Sequence, residues 1–98
     1  MRPYRTNMRA SAADWRRIAI AAIRAHEPIG QYAARLLTPA ANAGVTGTPG
    51  AAPLPDVAKR QLVFPDRVAF DAVHAWRQHA GLTWPQAIRA ASRLTPTP

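Results

Sequence analysis

The chain is divided by an uncharged stretch, TPAANAGVTGTPGAAPLP at residues 38–55, that contains four prolines and three glycines. Proline removes a backbone donor and glycine adds backbone freedom, so we expect no regular element here and interpret the stretch as a linker. It separates an expected N-terminal helical part, residues 11–37, from a C-terminal helical part, residues 56–94. A flexible basic arm at residues 1–10 and a tail at residues 95–98 complete the predicted organisation.

Small side chains limit the core that these two parts can build. Of the 98 residues, 22 are alanine and only 25 are larger apolar residues. Stabilisation scales with buried apolar area, at roughly 25 cal/mol per Å², and alanine buries little. The core is therefore expected to be thin, which excludes a large enzyme with a deep substrate cavity. Self-association as a homo-oligomer would enlarge such a core.

Capping residues and apolar stripes at helical spacing predict the regular elements. Ser11 and Thr83 can each cap a helix that carries an apolar stripe, and Phe64-Pro65-Asp66 starts a third helix of this kind. Asp56 can cap a short helix, and Gly81 is placed to end a helix in a left-handed conformation. The expected helices are about 12–26, 29–37, 57–63, 66–80 and 84–94. We find no strand-like alternation of adequate length and no internal repeat. The sequence therefore predicts an all-α fold of four to five short helices.

Residues 73–94 have the layout of a helix-turn-helix, with Gly81-Leu82-Thr83 as the turn. The segment RQHAGLTWPQAIRAA, residues 77–91, resembles the first two helices of phage-repressor-type DNA-binding domains. In that family a recognition helix follows this pair. Alternatively, the expected helix 84–94 is itself the recognition helix. A plain helical hairpin with a solvated basic face is the third interpretation.

If helix 84–94 faces nucleic acid, its polar residues are the candidates for reading bases. Glutamine can bond adenine, and arginine can bond guanine through two hydrogen bonds. The candidates on this helix and at its start are Thr83, Gln86, Arg89 and Arg93. Arg77 stands where the motif usually has a small residue, which counts against close motif geometry.

Charge indicates the class of partner. The chain has 13 Lys and Arg against 5 Asp and Glu, a net charge of +8. A compact basic domain attracts polyanions, nucleic acid above all. A second basic face is expected on the first helix at Arg16, Arg17 and Arg24, where the arginines of the arm would extend it along a phosphate backbone. An acidic protein surface would fit the same face, and a merely solvated surface has the same pattern.

Several classes of site are not expected. The absence of cysteine excludes disulfides and thiolate metal ligands, and it fits a cytoplasmic protein. His74 and His79 are five residues apart, which does not place two ligands on one helical face, so we expect no metal and no cofactor. No stretch approaches the roughly 20 apolar residues that span a bilayer, so no membrane partner is expected.

These observations favour a non-catalytic nucleic-acid-binding protein, either a small DNA-binding regulator or a helical subunit of a nucleoprotein complex. The alternative is a protein-binding accessory or inhibitory module whose basic face covers an acidic or nucleic-acid-binding site on a larger partner. Trp76 and Trp84 flank the expected turn, and we expect them to be mostly buried and to pack against each other.

Overall fold

Two strands join four helices in the fold, in the order β-α-α-β-α-α. The computed structural model describes residues 2–47 and 53–94. Its elements are β1 Tyr4–Ser11, α1 Ala12–Arg24, α2 Ile29–Asn42, β2 Val57–Phe64, α3 Arg67–Ala80 and α4 Trp84–Leu94. The strands pair antiparallel as a two-stranded ribbon, with Tyr4 opposite Phe64 and Ser11 opposite Val57. The all-α prediction is therefore wrong.

The two strands lie where the sequence predicted an arm and a helix. Most of residues 1–10 belongs to β1, and the expected helix 57–63 is β2. Neither strand shows a clean apolar alternation, because Thr6 and Arg60 occupy positions on the helix-facing side and Ala10 there is small. Each strand gains its hydrogen-bond ladder from the other half of the chain, which local periodicity cannot reveal.

Helices α1 and α3 begin at residues that the sequence predicted as their starts, whereas Asp56, the predicted cap of a helix at 57–63, precedes a strand. The Ser11 hydroxyl accepts a hydrogen bond from the Asp14 amide at 3.2 Å and starts α1. The Asp66 carboxylate accepts one from the Ala69 amide at 2.8 Å and starts α3. Gly81 ends α3 with φ +70, a left-handed conformation that glycine adopts without a Cβ penalty, and α4 follows.

Helix α2 is longer than expected. It continues past Leu37 to Asn42 with Pro39 inside it, so the predicted linker begins as helix. Proline removes one backbone donor, but here it lies in the last part of the helix, where Leu37 and Ala40 are fully buried and hold the turn in place. Residues 48–52 of the predicted linker and the predicted tail at residues 95–98 lie outside the described residues.

The core lies between the ribbon and the helices, and the two halves of the chain interlock there. Helix α2, from the first half, packs mainly on β2, while α4, from the second half, packs on β1 and on α2. In each β-α-α half, the second helix therefore packs on the strand of the other half and not on the strand of its own half. The largest fully buried apolar side chains are Phe64, Ile18, Leu37, Leu62, Ile88 and Val73.

Candidate functional site

One face of the ribbon is open to solvent and is lined with hydrogen-bonding side chains. Strand side chains alternate between faces, which places four cross-strand pairs on the side of the ribbon away from the core. Ser11, in the fourth pair with Val57, is buried at the start of α1, so three pairs form the open face. The pairs on this outer face are Arg5–Val63, Asn7–Gln61 and Arg9–Lys59. All of these side chains are exposed except that of Val63, which is half-buried. We call these six residues the ribbon face.

The polar groups of the ribbon face are unused by the fold. Across residues 2–47 and 53–94, the side chains of its five polar members make no hydrogen bond and no ion pair. Strand backbones hold these side chains in two parallel rows about 4.8 Å apart. The arrangement can therefore offer guanidinium, ammonium and amide groups to a ligand that lies along the ribbon.

Arg9 and Lys59 stand directly opposite each other on this face. Like charges opposite each other on a sheet destabilise the pairing. A cation pair that costs stability and has no internal counter-charge is typical of a surface that meets an anion from outside.

The acidic side chains are mostly engaged elsewhere. Asp14 pairs with Arg89, Glu27 with Arg35 at 2.9 Å, and Asp71 with Arg67 at 3.0 Å. The hydrogen bond to Asp71 raises the pKa of the Arg67 guanidinium above its usual value. Asp66 caps α3. The fifth acid, Asp56, precedes β2 and is exposed. No acid therefore belongs to the ribbon face, and its positive charge is not neutralised there.

The amino ends of α2 and α4 border the ribbon on its two sides. A Cβ on Gly30 would lie 2.7 Å from the carbonyl oxygen of Gln61, so the start of α2 approaches β2 as closely as the backbone allows. Pro28, the N-cap of α2, makes no side-chain capping hydrogen bond. On the other side, a shallow depression of about 290 Å³ is lined by Asn7, Met8, Arg9, Lys59, Trp84 and Pro85. Helix amino ends carry partial positive charge, which adds to that of the ribbon face.

The structure uses three of the predicted base-reading residues to hold the fold together. Arg89 Nε donates a hydrogen bond to Asp14 Oδ2 at 3.0 Å, and Asp14 is only 8% exposed. The Thr83 amide donates to Gln86 Oε1 at 3.0 Å, while the Gln86 amide donates to Thr83 Oγ1 at 3.4 Å. This reciprocal pair is a capping box at the start of α4.

The remaining predicted residues lie on exposed helix surfaces. Arg16, Arg17 and Arg24 are exposed on α1, and Arg93 is exposed on α4. None of the four belongs to the ribbon face. Their contact with nucleic acid stays a prediction.

The two tryptophans near the turn are half-buried and have different neighbours. Trp76 Nε1 donates a hydrogen bond to the Val45 carbonyl at 2.9 Å. Trp84 stacks on His74 with ring centroids 5.7 Å apart. The guanidinium carbon of Arg77 lies over the same indole, 4.6 Å from the ring centroid of Trp84. Arg77 also donates to the Leu82 carbonyl at 3.0 Å, so it ties the turn to α3. Trp84 therefore stabilises the α3–α4 hairpin, while Trp76 ties α3 to the segment that follows α2.

Sequence reasoning found Arg5 and Arg9 only as members of a mobile arm, and it missed Asn7, Lys59 and Gln61. The available signal was the alternation in YRTNMRAS, where every second residue from Arg5 to Arg9 is polar and long enough to reach a ligand. Its inner positions were not apolar enough to mark a strand.

Among the described residues, no group of three His, Asp or Glu side chains is placed to hold a metal ion. Within the same ranges, no helix has the length and apolar character needed to cross a membrane. Comparison of the chain with protein-family models, with curated proteins and with solved structures found no match.

Proposed function

We propose that the protein is a non-catalytic DNA-binding protein that inserts its β1–β2 ribbon into the major groove. The observation that carries the proposal is the ribbon face itself: two rows of unused polar side chains, without an acid, on a rigid two-stranded ribbon whose other face is packed on helices.

The dimensions of the ribbon fit the major groove of B-form DNA. That groove is about 12 Å wide and admits a two-stranded β-ribbon. Outward residues on one strand are about 6.8 Å apart, twice the rise of about 3.4 Å per base pair, so successive side chains meet bases about two steps apart. The major groove of A-form RNA is too deep and narrow for side chains to read, so the geometry favours duplex DNA over duplex RNA.

The side chains of the ribbon face match the chemistry of base edges. Arginine and lysine bond O6 and N7 of guanine, while asparagine and glutamine bond N6 and N7 of adenine. The central pair, Asn7–Gln61, consists of two amides, and cations lie on both sides of it along the ribbon. These groups give sequence discrimination as well as attraction to a polyanion.

Phosphates at the groove edges supply the rest of the interaction. With the ribbon in the groove, the amino ends of α2 and α4 lie toward the two phosphate backbones, where helix N–H groups and dipoles favour anions. The net charge of +8 adds a long-range attraction that does not depend on sequence. Affinity is therefore expected to fall steeply with salt.

A matched set of substitutions tests this proposal. A duplex selected by the purified chain from a random library is titrated by fluorescence anisotropy with the variants Asn7→Ala and Arg9→Ala. Controls are Asn42→Ala and Arg24→Ala, which remove the same groups from exposed sites on α2 and α1. Each ribbon variant should lose about 5- to 150-fold in affinity for the selected duplex, which corresponds to about 1–3 kcal/mol per base contact.

The controls separate base reading from general attraction. Asn42→Ala should bind as the parent does, and Arg24→Ala should at most weaken all sequences equally. Ribbon variants that bind the selected duplex like the parent would refute the proposal. Capture of one acidic protein, together with no sequence preference on DNA, would favour the protein-binding module that the sequence left as the alternative.

A further inference from the structure

The ribbon face has a local two-fold relation that its side chains break at one position. The two-fold passes through the central pair, Asn7–Gln61, perpendicular to the ribbon. It relates Arg5 to Lys59, two cations, and it relates Asn7 to Gln61, two amides. It relates Arg9 to Val63, and these two side chains have no chemistry in common.

The two ends of the ribbon therefore differ. One end presents Arg9 beside Lys59, two side chains that bond guanine. The other presents Arg5 beside Val63, whose isopropyl group has no hydrogen-bonding capacity. A Cβ built on Gly30 would lie 3.5 Å from Val63 Cγ2, so the start of α2 lies beside this side chain.

We propose that one copy of this chain binds one non-palindromic DNA site, with guanine at the positions that face the Arg9–Lys59 end. The two-fold relates Arg9 to Val63, and at the base position that faces Val63 the site has thymine instead of guanine. A valine side chain offers only an apolar contact, which suits the thymine methyl group. This inference rests on the DNA-binding function proposed above and specifies its target.

The connectivity explains why one copy is enough. Both strands of the ribbon come from the same chain, and the helices that border the two sides of the ribbon also come from it. A site read by a symmetric pair of chains must be palindromic, because both halves carry the same side chains. A single chain with two different strands has no such requirement.

Selection and stoichiometry test the inference together. The full chain selects duplexes from a random library, and sedimentation velocity on the selected duplex counts the chains bound. We expect an asymmetric consensus and one chain per duplex. The variant Val63→Arg should then select guanine in place of thymine, and its affinity for the duplex with that change should exceed that of the parent by about 5- to 150-fold.

Two further variants keep the test decisive. Val68→Arg adds the same charge at a valine that is 75% exposed on α3, away from the ribbon face, and should leave the consensus unchanged. Arg9→Val replaces an exposed side chain and should remove the guanine preference at its own end, even if Val63→Arg fails to fold.

The outcomes separate this inference from the proposed function. A palindromic consensus bound by two chains, or a consensus that Val63→Arg and Arg9→Val both leave unchanged, would overturn the inference. A palindrome that still requires Asn7 and Gln61 would leave the proposed function standing. A chain that selects no sequence at all would overturn both.

Discussion

Replacing Arg89 by alanine should destabilise the fold and should have little direct effect on base recognition. Arg89 Nε on α4 bonds Asp14 Oδ2 at 3.0 Å, and Asp14 lies in the first turn of α1. The Ser11 hydroxyl donates to the same carboxylate oxygen. Arg89→Ala therefore leaves a buried carboxylate with Ser11 as its one remaining side-chain donor among the described residues.

The magnitude follows from how deeply the pair is buried. A hydrogen bond to a charged group contributes about 1.5–3 kcal/mol, and breaking a fully buried ion pair costs about 3–5 kcal/mol. The Arg89 side chain is 31% exposed against 11% for that of Asp14, so water replaces part of the lost contact and screens the pair. We therefore expect a loss of about 1–2 kcal/mol, which lowers Tm by about 5–15 °C in a domain of this size.

Thermal and urea unfolding of a double-mutant cycle measure this loss. Arg89→Ala, Asp14→Ala and the double variant should give a coupling free energy of about 1–2 kcal/mol. Arg93→Ala, an exposed arginine on the same helix, is the matched control and should change stability by less than about 0.5 kcal/mol. An Arg89→Ala variant that melts like the parent but loses discrimination between DNA sequences would refute this reasoning and restore Arg89 as a base-reading residue.

Substitutions at three other positions test the packing of α2, the backbone conformation of the turn and the charge repulsion on the ribbon. Gly30→Ala should lower stability by about 1 kcal/mol in thermal unfolding, because the new Cβ would lie 2.7 Å from the Gln61 carbonyl oxygen. This overpacking outweighs the gain of about 1 kcal/mol that alanine usually brings to a helix. A stabilised variant would contradict the close approach of α2 to β2. Gly81→Ala should cost about 1 kcal/mol through its φ of +70, since no other part of the fold lies within 4 Å of the new Cβ. Gly81→Asn should cost less, because asparagine tolerates the left-handed conformation better. Lys59→Gln should raise stability by about 0.2–1 kcal/mol, because it removes the like-charge pair with Arg9, and it should weaken DNA binding. Lower stability together with unchanged binding would contradict both roles of Lys59.

The helices could be predicted because their signals are local. Ser11, Asp66 and Thr83 cap the turns that follow them, and Gly81 supplies the left-handed residue between α3 and α4. Each of these signals depends on residues at most four positions away. The end of α2 could not be predicted, because burial of Ala40 against the rest of the fold overrides the tendency of Pro39 to end a helix.

The strands, and with them the candidate site, depend on contacts between the two halves of the chain. Arg60 faces the helix side of the ribbon, where its guanidinium lies 5.7 Å from the centre of the Trp15 ring. An arginine at an inward position conceals the period-two pattern of β2. The repeated β-α-α order was also invisible in the sequence, because matching positions such as Arg9 and Val63 carry unrelated side chains. Without the pairing of β1 with β2, the residues of the ribbon face had no reason to be grouped.

The most direct test of DNA reading by the ribbon is a map of the contact surface in solution. Amide chemical shifts of the ¹⁵N-labelled chain are compared with and without the selected duplex at low salt. If the ribbon reads DNA, the largest changes fall on the outward residues of β1 and β2, with smaller changes at the starts of α2 and α4. Changes concentrated on the exposed arginines of α1 and on α4 near Arg93, with the ribbon unaffected, would contradict it.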